Sequence, residues 1–109
     1  MRYLILLWGD PQGEAELSAD ARRRIVEEHM ELSMRLRERG QLVVGEPLEA
    51  GAKVVRSGLV TDGPFVETKE QVGGLYLVEV ESEDEALAIA RKVPSSPGLV
   101  VEVRRVPSG

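Results

Sequence analysis

Residues 73–94 read GGLYLVEVESEDEALAIARKVP, and this stretch decides the fold. From Leu75 to Glu81 the side chains alternate: Tyr76, Val78 and Val80 share one face, while Leu77, Glu79 and Glu81 share the other. That is the two-residue period of a strand. Ser82 follows with Glu85 three positions on, a capping box that starts a helix. Ala86, Ile89, Ala90 and Val93 then recur at helical spacing, Arg91 and Lys92 suit the negative end of the helix dipole, and Pro94 stops it. Beyond the Ser95-Ser96-Pro97-Gly98 loop, Leu99 to Val106 reads as one more strand.

The N-terminal half repeats this logic. Tyr3 to Trp8 is a short apolar run that suits a strand buried on both faces. The breakers in Gly9-Asp10-Pro11-Gln12-Gly13 predict a loop. From Ser18 or Asp20 to Arg39 the pattern is helical, with Ala21, Ile25, Leu32 and Leu36 on one stripe and Gly40 as its stop. Gln41 to Glu46 predicts a strand closed by Gly45 and Pro47, and Lys53 to Val60 another, interrupted at Ser57-Gly58. The order predicts an α+β fold: a ferredoxin-like sandwich with an antiparallel sheet and two helices on one face. The strands are too apolar for their second face to meet water, so a second copy of the chain is expected to cover it and make a homodimer.

Composition narrows the function classes. The 109 residues fit a single domain spanning 1–109, with 42% hydrophobic and 30% charged residues, as in a soluble globular protein. With 14 basic against 19 acidic residues, the net charge of -5 argues against a nucleic-acid partner. Arg22-Arg23-Arg24, followed by Glu27, Glu28 and Glu31, reads as a solvated helix face. No run is long enough for a membrane span and no secretory pattern opens the chain, so a cytoplasmic location is expected. The absence of cysteine removes thiol nucleophiles, disulfides and cysteine-based metal sites. A single histidine, with no His/Asp/Glu set at ligand spacing, argues against a bound metal, and no nucleotide-binding motif points to a cofactor. The lack of asparagine and the preference for arginine hint at a thermophilic source.

One further stretch is distinctive. Residues 61–69, TDGPFVETK, pair a hairpin signal, Asp62-Gly63, with a proline that restricts the residue before it. Together with YLILLWGD at the start, GQLVVGEPL after the helix and GLVVEVRRV at the end, it resembles the DGPF branch of the YCII-related family over nearly the whole chain. The resemblance implies a dimeric α+β barrel, formed by two subunits packing their sheets face to face. It also implies a histidine–aspartate pair in a dimer-associated cleft. Some relatives of that branch are encoded beside extracytoplasmic-function sigma factors, which implies a regulatory context.

His29 is the only side chain whose ordinary pKa lies near neutrality, and it sits one turn from Ile25 on the helix stripe. It is either a core histidine satisfied by a backbone carbonyl or the acid or base of a reaction. Asp62 either caps its own turn or orients the imidazole, and Asp10 is a second candidate for that orienting part. Glu67 and Lys69, two apart in an extended segment, are either plain surface or a clamp on a small polar substrate, the reading that the family motif favours. Arg56 is either a solubilising charge or a bidentate contact for a carboxylate. The leading expectation is a cofactor-independent enzyme using His29 and Asp62 in acid–base chemistry on a small organic molecule. The alternative is a non-catalytic dimer that binds a small ligand or docks on a partner such as a sigma factor.

Overall fold

The computed structural model describes residues 1–65 and 69–107. Its elements run β1 (Arg2–Gly9), α1 (Pro11–Ala15), α2 (Ala19–Glu38), β2 (Leu42–Pro47), β3 (Lys53–Arg56), β4 (Leu59–Asp62), β5 (Gln71–Glu79), α3 (Glu83–Arg91) and β6 (Val100–Val106). Four strands form one antiparallel sheet in the order β2-β5-β1-β6. Two interleaved strand–helix–strand units, β1-α2-β2 and β5-α3-β6, generate that order, which is the ferredoxin-like arrangement. The fold expected from the sequence is therefore present, with one helix more than expected.

That helix is α1. Its sequence carries breakers, but Pro11 stands at the helix start, where no N–H is required, and Asp10 caps it by accepting from the Gln12 amide at 3.1 Å. The expected strand from Lys53 to Val60 is likewise a hairpin, β3 and β4 closing on each other from Lys53↔Asp62 to Arg56↔Leu59. Ser57 and Gly58 have φ of 50° and 80°, the positive pair that a two-residue hairpin turn demands. The turn is thus at Ser57-Gly58, while Asp62-Gly63 ends the hairpin. There Gly63, at φ 98°, donates its amide to Ala52 O at 2.7 Å.

The helices cover one face of the sheet. Tyr3, Ile5 and Leu7 from β1 and Tyr76 and Val78 from β5 meet Leu32 and Leu36 of α2 and Ala86 and Ile89 of α3, with Val80 and Val93 closing the core. Ile5 and Val78 are fully buried. The stripe of α2 is buried only at its C-terminal end: Ala21, Ile25 and His29 lie half-buried beyond it. On the other face of the sheet Leu4, Leu6, Trp8, Leu75 and Leu77 are half-buried, and Val44 and Val100 are exposed. Within a single chain, β1 is therefore fully buried on one face and half-buried on the other.

Register on β2 positions one residue of consequence. Leu42 pairs with Val78 and Val44 with Leu77, so Val43 forms a bulge. The extra residue reverses the parity of the rest of the strand. Leu42 and Gly45 therefore both face the helices, and Gly45 comes to lie opposite Tyr76.

Candidate functional site

His29 Nδ1 and the Tyr76 hydroxyl oxygen are 2.6 Å apart, within hydrogen-bond distance. The two rings stack with centroids 6.0 Å apart and planes 20° from parallel. Tyr76 is 5% exposed, whereas His29 is half-buried at the edge of α2. A phenol so buried needs a partner for its proton, and His29 stands where it can serve.

Gly45 makes room for this pair. A Cβ on Gly45 would lie 2.9 Å from Tyr76 Cδ1 and 3.0 Å from Cε1, closer than carbon atoms approach. Lacking one, β2 lets the tyrosine ring lie across it with the hydroxyl directed at α2. Ser33, one turn after His29 on the same helix, stands beside the phenol as a hydrogen-bonding neighbour. Val26, one turn before His29, and Met30, next to it, are exposed apolar residues on that part of the helix.

The electrostatics follow from burial. Desolvation lowers the His29 pKa from its ordinary value, with the Glu28 carboxylate acting in the opposite direction. Burial raises the Tyr76 phenol, opposed by Ser33. Near pH 7 both groups are therefore neutral. The histidine shift carries a stability consequence. The unfolded chain protonates its histidine at a higher pH than the native one, so this contribution is fully present above about 6.5. It is lost as pH falls from there toward the lowered native value. Denaturant titrations at pH 7.5 and 5.5 are expected to show a drop on acidification that shrinks in His29→Gln.

The other candidates lie elsewhere. Asp62 is on the β3–β4 hairpin, exposed, with its carboxylate 2.5 Å from Lys53 Nζ. Among the described residues the hydrogen-bond and ion-pair partners of His29 include neither Asp62 nor Asp10. Asp10 is 8% exposed: it caps α1, donates its amide to Pro97 O at 3.0 Å and has Lys69 Nζ 3.5 Å from its second carboxylate oxygen. Two candidates, Lys69 and Asp10, are thus brought together, although the sequence placed Lys69 beside Glu67. Glu67 lies outside the described residues. Arg56 stacks its guanidinium over Phe65, 5.0 Å from the ring centroid. Both line an open cavity of about 310 Å³ with Val54, Leu59, Thr61 and Pro64. No group of three or more metal-ligating side chains occurs among the described residues.

The site residues absent from the sequence reading are Tyr76, Ser33 and Gly45. The signal for Tyr76 was present: a polar-tipped ring in the inward set of a buried strand requires a partner. Over residues 1–107 the chain matches the model of the YCII-related domain. The chain belongs to the YCII-related family. It is also 33% identical over 102 residues to an uncharacterized protein of Rhizobium meliloti (strain 1021), covering 88% of this chain and 82% of that one. Within this YCII-related chain, no helix of the described residues is long and apolar enough to cross a membrane.

Proposed function

We propose that this YCII-related protein is a cofactor-independent enzyme performing acid–base chemistry at His29 on a small oxygen-bearing organic molecule. One observation carries the reading. The sole imidazole stands half-buried at a helix edge, neutral near pH 7, with one ring nitrogen engaged by a buried phenol. A positioned histidine with a pKa near the working pH is the usual agent of proton transfer. Within one chain Tyr76 takes the orienting place for which Asp62 and Asp10 were candidates. The TDGPF stretch supports placing the chain in the DGPF branch.

The half-buried second face of the sheet, with Leu4, Leu6, Leu75 and Leu77, supports a homodimer joined through it. Light scattering at micromolar concentration is expected to give twice the chain mass; a monomer there contradicts this part. A second reading, a ligand-binding module, is favoured by the open cavity under Arg56 and Phe65 and by the hairpin's exposed Val55, Leu59 and Val60.

The two readings separate in one assay. Small keto and hydroxy acids are incubated in D₂O with the wild-type protein, His29→Ala or Arg56→Ala, and deuterium uptake next to the carbonyl is followed by NMR. The enzyme reading predicts uptake that His29→Ala removes. Uptake unchanged in His29→Ala, or none across the panel with binding lost in Arg56→Ala, overturns it.

A further inference from the structure

The hydrogen bond at His29 has a direction, and the direction assigns a role to each nitrogen. Tyr76 lies buried on β5, and its phenol stays protonated because burial disfavours the phenolate. A buried O–H that donates to nothing is costly, because its desolvation goes uncompensated. Within hydrogen-bond distance of the phenol stands His29 Nδ1, at 2.6 Å. That makes His29 Nδ1 the acceptor of the phenolic proton. A neutral imidazole that accepts at one nitrogen carries its proton on the other. Nε2, across the ring from Tyr76, has no protein partner among the described residues.

We propose that Tyr76, seated on Gly45 and hydrogen-bonded to Nδ1, is a positioning residue that fixes His29 as its Nε2–H tautomer, so that the site presents a neutral N–H donor to a carbonyl or carboxylate oxygen of the substrate. This rests on the acid–base reading above and sharpens it. His29 would keep its proton and donate a hydrogen bond from Nε2 to an oxygen on which negative charge develops. A neutral donor suits that step because it does not require a protonated ring at neutral pH. Gly45 belongs to the device: a Cβ there would meet the Tyr76 ring at 2.9 Å and displace the hydroxyl. Glu28 is the charged neighbour on the same helix, and β2 contributes Gly45 at this point, which carries no charge.

The test is ¹⁵N NMR of the single histidine in the full chain at pH 7.5, without substrate. The proposal predicts a protonated Nε2 and an unprotonated Nδ1, together with a slowly exchanging Tyr76 hydroxyl proton close to the His29 ring. In Tyr76→Phe the preference should relax toward a mixture of tautomers and the hydroxyl signal should vanish. Gly45→Ala keeps the phenol but moves it, and should relax the tautomer in the same way, which covers the case of a Tyr76→Phe variant that folds poorly. A wild-type Nδ1–H ring, or a tautomer unchanged in both variants, overturns the proposal. The measurement involves no turnover, so it fails or succeeds independently of the deuterium-uptake assay.

Discussion

Replacing His29 with alanine is expected to lower the rate of the proton-transfer step by about 10²–10⁴, the usual contribution of a positioned acid or base. The fold should survive the change. His29 lies at the half-buried end of the α2 stripe, beyond Leu32 and Leu36, which face the core. The substitution leaves behind the buried Tyr76 hydroxyl without its acceptor. A stability loss of about 1–3 kcal/mol is expected from that orphaned donor, unless water enters to replace the imidazole. The double variant with Tyr76→Phe removes both partners of the bond. Its stability should be closer to the wild type than the sum of the single losses, because no polar group is left stranded. Urea unfolding of the two single variants and the double variant reads this coupling directly. Additive losses would mean that the two side chains do not interact.

Ile5→Ala is expected to cost about 2–5 kcal/mol, the largest stability effect of any single substitution considered. Ile5 is fully buried at the centre of the sheet and lies opposite Tyr76 in the β1–β5 register. Truncating it removes apolar burial and opens a cavity between the sheet and the helices packed on it. The size of the effect should not depend on protein concentration. Leu6→Ala, one residue away on the other face, serves as the contrast. Leu6 is half-buried within one chain and pairs with Leu75. Its truncation should cost less at low concentration and more at high concentration if a second copy covers that face, by mass action on the dimer. Equal losses for Ile5→Ala and Leu6→Ala at every concentration would contradict a sheet with one permanently buried face.

The alternation in Leu75–Glu81 and the capping box at Ser82 fixed a strand–helix unit, since each signal is local and strong. The structure has Ser82 accepting from the Glu85 amide at 3.2 Å and the Glu85 carboxylate accepting from the Glu81 amide at 2.8 Å. The hairpin at Ser57-Gly58 was less visible because serine at positive φ is a weaker turn signal than asparagine or aspartate. Helix α1 was hidden by Pro11 and Gly13, although Asp10-Pro11 is itself a start signal.

The candidate site was legible in one half only. His29 stood out by composition and by its place on the helix stripe. Its partner did not, because Tyr76 is 47 residues away and reaches it only through tertiary packing. The bulge at Val43 was equally out of sight. It turns Gly45, which read as the end of a strand, into the floor beneath the tyrosine ring. Asp62 drew attention through its motif, yet its carboxylate is held by Lys53 across the hairpin, an exposed pair worth about 0–1 kcal/mol.

Burial lowers the His29 pKa, with Nδ1 of the ring against the Tyr76 hydroxyl. The most direct measurement is an NMR pH titration of the His29 ring in the wild-type protein and in Tyr76→Phe. The expected result is a wild-type midpoint below the ordinary histidine value of about 6.5, with ring chemical shifts that change on removal of the phenol. A midpoint at or above that value, with the same shifts in both proteins, would contradict it.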